Sequence, residues 1–229
     1  MRFRNAATLV VLFAIAMAYM ESAVVVYLQR ALSITPDTLF PLQSQSVVGN
    51  LAGIEAGREL ATLLMLTAVG CLVGRRGIDR LGWTAVAFGV WDIFYYVWLW
   101  VFVGWPHSPG TWDVLLLLTV PWAGPVWAPI AVDIALIAGG LAAGREVIAG
   151  RDPHVTLITG GAAVAGGALA IGSFMANATT LMNGGMPGWY PWPVFAAGMV
   201  VAGWAAAATL LPRGDAATSP GGTSDAATE

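Results

Sequence analysis

The chain has 229 residues, of which 58% are apolar and only 10% charged. A soluble domain of this size carries about a quarter charged residues, so the composition points to an integral membrane protein. The apolar runs are long and unbroken, which excludes the short alternating segments of a transmembrane β-barrel.

A helix needs ~20 apolar residues to cross the hydrocarbon. Six spans are predicted, roughly 6–29, 50–74, 81–104, 125–144, 155–178 and 191–211. They give an all-α bundle in one domain, 1–211, followed by a flexible polar tail, 212–229.

The first span opens with Arg2 and Arg4 and contains "AMA" at 16–18, a pattern similar to a secretory leader. Its apolar run continues through "VVVYL" to Leu28, so a retained helix is expected, with Glu21 inside it. The second span contains "IEAGRELATLL", residues 54–64. Here Glu55, Arg58 and Glu59 stand at i, i+3 and i+4 and share one helix side. Asp92, Tyr95 and Tyr96 repeat that spacing on the third span.

The connection from Gly104 to Pro129 is rich in proline and tryptophan. One helix from Asp113 to Arg145 would measure about 50 Å, too long for a bilayer. "WDVLLLLTV" is therefore expected to form a short extra helix, interfacial or re-entrant, between spans three and four. With Trp105, His107, Trp112 and Asp113 it would form a lid. Pro121, Pro125 and Pro129 then break the chain before span four, which carries Asp133. An aromatic belt at the membrane interface accounts for most tryptophans here, but not for Asp113 at the head of an apolar run. Spans five and six carry no charge, and the glycines of "GGAAVAGGALAIG" suit close helix packing.

All ten basic residues are arginine. Eight of them, Arg2, Arg4, Arg75, Arg76, Arg80, Arg145, Arg151 and Arg213, fall on one side of a six-span topology. The positive-inside rule then predicts a multi-pass cell-membrane protein with both termini cytoplasmic. Only Arg30 and Arg58 stand apart.

Counted from the outer helix ends, Glu21, Glu59 and Asp133 lie ~12 Å deep, level with Tyr95 and Tyr96. Asp92 is one turn deeper and Glu55 one turn shallower. Intramembrane acids are costly and mark interior sites by default. The candidate site is therefore Glu21, Glu55, Arg58, Glu59, Asp92, Tyr95, Tyr96 and Asp133. A structural salt bridge is the plain alternative for Arg58 alone. For the whole layer the arginines are too few, so protons or a cation must balance the remaining acids. Oxygen-only ligands would suit Ca²⁺, Mg²⁺ or Mn²⁺, with Glu21, Glu59, Asp92 and Asp133 as candidates.

Several chemistries drop out. Without lysine there is no Schiff base, hence no retinal. His107 and His154 stand near the ends of apolar runs, which disfavours a bis-His haem within the bundle. The single cysteine, Cys71, excludes an internal disulfide. The charge balance of −3 points to no nucleic acid. The favoured reading is a bilayer protein whose acidic site binds or conducts a proton or cation. Two alternatives stay open: a subunit of a larger membrane complex with a quinol site or proton path, and an intramembrane enzyme using a carboxylate or an oxygen-ligated metal. A cationic ligand held by acids and tryptophan faces would fit too. Homo-oligomers and membrane-complex partners are both compatible with the sequence.

Overall fold

The computed structural model describes residues 3–31, 45–116, 120–151, 153–185 and 187–210, with backbone alone over 45–52. The predicted tail lies outside the described residues.

Six helices are long and apolar enough to cross a membrane. The elements in chain order are α1 (Phe3–Ala31), α2 (Gln45–Val73), α3 (Gly77–Val103), β1 (Trp112–Leu116), β2 (Trp122–Pro125), α4 (Trp127–Ile148), α5 (Leu157–Met175), α6 (Ala178–Met182) and α7 (Trp192–Leu210). The outer surfaces are studded with Leu12, Leu64, Leu72, Ile158, Val164 and Val200, all exposed. In water so much exposed apolar surface would drive association, whereas hydrocarbon solvates it. The protein is a multi-pass membrane protein.

Local chemistry sets the helix ends. α3 stops at Gly104, whose left-handed backbone (φ 71°) lets its N–H close on Trp100 O. α5 starts with a capping box, in which the Thr156 hydroxyl accepts from Thr159 N at 3.1 Å and Thr159 Oγ1 accepts from Thr156 N at 2.9 Å.

α3 is the hub, packing on α1, α2 and α4, while α5 and α7 form a second pair. Trp83, Val86, Ala87 and Val90 of α3 build the main core with Val10, Ala14 and Ala18 of α1. The α5–α7 pair rests on bare glycine backbone. A Cβ on Gly166 would sit 2.5 Å from Ala202 N, and one on Gly198 would sit 2.7 Å from Ala170 N. In a membrane this close approach replaces the hydrophobic drive that water would supply.

The element between α3 and α4 corrects the sequence reading. It is an antiparallel hairpin, with Trp112 opposite Pro125 and Asp113 opposite Gly124, and not a short helix. A short continuous apolar run has no periodicity to separate helix from strand. Pairing decides it here. Val126 N donates to Thr111 O at 2.9 Å and Trp127 N to Pro109 O at 3.0 Å, so the hairpin ladder runs on into the start of α4. Two strands satisfy each other's backbone groups at the end of the bundle, where prolines forbid a continued helix.

Candidate functional site

The polar layer is built on the stretch 92–96 of α3. Each of its polar positions meets a different neighbour. The Asp92 carboxyl faces α4, close enough to hydrogen-bond the Asp133 carboxyl. The Tyr95 carbonyl accepts from Ser22 Oγ of α1 at 3.1 Å. The Tyr96 hydroxyl donates to Asp113 Oδ2 of β1 at 3.1 Å. Gly89 allows α4 to come this near, since a Cβ there would meet Asp133 O at 2.8 Å.

α1 and α2 add an ion-pair triad. Arg58 Nε donates to Glu55 Oε2 at 3.1 Å, and its Nη2 meets Glu55 Oε1. The other arm, Nη1, pairs with Glu21 Oε1 of α1. Glu21 also accepts from Thr62 Oγ1 at 3.2 Å. Arg58 thus joins two helices that otherwise touch little and pack mainly on α3. Within "IEAGRELATLL" the arginine therefore bridges an acid of its own helix to one of α1. Glu59 is 8% exposed and buried on the same side of α2 as Thr62.

These two clusters are neighbours. Tyr95 interacts electrostatically with Arg58 and Glu55 of one and with Asp92 of the other, and also with Asp113. Asp133 is 1% exposed, and its Oδ2 has no hydrogen-bond partner among the described residues. Among the described residues no three of Asp, Glu, His and Cys group as metal ligands. Arg30 is exposed and stands apart from the layer.

Three of the four expected lid residues turn inward. Trp105 is buried beside Tyr96, ring centroids 6.2 Å apart. Trp112 is half-buried against Tyr190 at 6.1 Å. Asp113 is buried, accepting from Tyr96 and, through Oδ1, from Val114 N at 2.8 Å. Burial pushes the Asp113 carboxyl up to about 7, against the opposing pull of those two hydrogen bonds. His107 lies on the exposed turn before β1.

Sequence reasoning missed Ser22 and Thr62. Both signals were present. Ser22 follows Glu21 directly, and Thr62 stands three residues after Glu59 on the buried side of α2. No protein-family model, curated protein or solved structure matches the chain.

Proposed function

We propose that this membrane protein binds protons in its acidic layer and passes them along it, with Asp92 and Asp133 as the exchanging pair. The contact between those two carboxyl groups carries the reading. A hydrogen bond between two carboxyl groups needs a proton on one of them, and like charges so close in a dry interior cannot both persist. Asp133 Oδ2 is buried with no other donor among the described residues, which leaves the shared proton as its partner.

The triad supplies the fixed frame. Arg58 keeps its charge when buried and needs counter-charges, which Glu21 and Glu55 provide. One guanidinium facing two carboxylates and Glu59 leaves excess negative charge, which holds protons in the layer. A proton suits the site better than a divalent ion, because a proton needs two oxygens and a metal needs six or more. Under this reading the arginine-rich end faces the cytoplasm and the acidic layer lies in the outer half of the membrane.

The test is infrared spectroscopy of the protein in lipid nanodiscs, with proton flux measured in proteoliposomes. A carboxylic-acid C=O band should be present near neutral pH and vanish in Asp133→Asn, with flux after a pH step falling about tenfold or more. Absence of any Asp92- or Asp133-dependent acid band would remove the shared proton and the reading with it.

A further inference from the structure

The hairpin holds a buried acid that the exchanging pair does not itself require. Asp113 sits beyond the end of α3, on the strand that follows the exposed turn at Ser108–Gly110. Its Oδ2 accepts from the Tyr96 hydroxyl at 3.1 Å. Tyr96 and Asp92 lie four residues apart on α3, one turn along the same side, and interact electrostatically. Asp113 and Asp92 also interact. From the hairpin inward, the order is Asp113, Tyr96, Asp92, Asp133.

We infer that Asp113 and Tyr96 form the outer proton port, carrying protons between the hairpin face and the Asp92–Asp133 pair. This rests on the proton-binding reading above and adds its route. In the observed state the Tyr96 O–H donates to the Asp113 carboxylate. A proton arriving from water adds to Asp113. The Asp113 O–H then donates to the Tyr96 oxygen, while the Tyr96 proton leaves toward Asp92. Rotation of the tyrosine hydroxyl back to Asp113 resets the chain. One proton enters at Asp113 and one reaches Asp92, which passes a proton on to Asp133; Asp113 and Tyr96 end the cycle with their starting charge.

Three further observations support a port here. Trp105 packs against Tyr96 and is buried, so it covers the route from one side. Asp113 Oδ1 is fixed by Val114 N at 2.8 Å, leaving Oδ2 aimed at Tyr96. The carboxyl titrates at about 7, where a group can both take and release protons. Among the described residues, Tyr95, Tyr96 and Asp92 of α3 interact electrostatically with it.

The experiment times hydrogen–deuterium exchange of the Asp133-dependent acid band after a switch to D₂O, using the full chain in nanodiscs. Asp113→Asn and Tyr96→Phe should each slow exchange about tenfold or more with the band's amplitude kept, and Asp113→Glu should restore most of the rate. The wild-type rate should bend near pH 7, and Asp113→Asn should lose the bend, which a purely structural role would not cause. Unchanged rates in both variants overturn the port while leaving the proton pair standing. Loss of the band itself in Asp113→Asn overturns it too, since Asp113 would then be part of the pair's structure. A wild-type protein without the band removes the underlying reading, and the port with it.

Discussion

Arg58→Met tests the triad most directly. The substitution keeps a long apolar stem but removes the guanidinium donors to Glu55 and Glu21, leaving Glu21 only the Thr62 hydroxyl among the described residues. Breaking a buried ion pair from one side costs ~3–5 kcal/mol, because a carboxylate is left behind. Here the Arg58, Glu21 and Glu55 side chains are 23%, 12% and 19% exposed, so the pair is partly open and the lower end applies. Protonation sets a ceiling as well. Neutralising an ordinary glutamic acid at pH 7 costs about 3.7 kcal/mol, and a stranded carboxylate costs no more than that. The expected loss is therefore ~3 kcal/mol near pH 7, shrinking by ~1.4 kcal/mol for each unit of acidification. Thermal unfolding in detergent should show a fall of roughly 6–12 °C at about pH 7.5 and a much smaller one at about pH 5. Adding Glu21→Gln to Arg58→Met should recover part of the loss. An equal loss at both pH values would refute the stranded-charge account and assign the effect to packing.

Glu59→Gln should lower proton uptake by the reconstituted protein more than it lowers the melting temperature, since Arg58 keeps Glu21 and Glu55 as partners; equal damage to stability and uptake would contradict this. Asp113 should imprint a pH dependence on stability. Its folded pKa of about 7 lies above the ordinary aspartate value of 3.8, so its contribution is full below ~4 and is lost as pH rises to ~7. The melting temperature of Asp113→Asn should lack that component, which a pH series of melts will reveal. Gly198→Val should separate α5 from α7, because its Cβ would sit 2.7 Å from Ala170 N, and detergent-solubilised protein should melt several degrees lower. With Cys71 replaced by serine, cysteines placed at Ser108 and Ala217 should label from opposite sides of the membrane; labelling from one side would sink the topology.

The spans were legible because membrane solvation acts on composition. A run of ~20 apolar residues needs no partner to announce itself. The ends moved by a few residues, and α5 stops early at Met175, where a break precedes the five-residue α6. The ion triad was partly legible too. Glu55 and Arg58 are one turn apart in sequence, whereas the choice of Glu21 as the second partner depends on how α1 leans on α3. The hairpin was not legible. Its strands are defined by pairing between residues six to thirteen apart, and in "VLLLLTV" a single threonine is too little to display a period.

The stretch 92–96 shows why spacing gave the layer but not its connections. Residues at i, i+3 and i+4 share a side of a helix, yet a side that is about a third of a turn wide can face three elements at once. On a surface helix those positions would have looked at one solvent. On α3, which packs against α1, α2 and α4 and lies under the hairpin, they look at three partners. Moving Asp92 by one position would turn its carboxyl ~100° away from Asp133, and no side-chain rotation spans that gap. The hub position of α3 therefore converts one run of three polar residues into a junction between the carboxyl pair, the ion triad and the hairpin. A proton path needs such a junction, and a set of independent salt bridges would not.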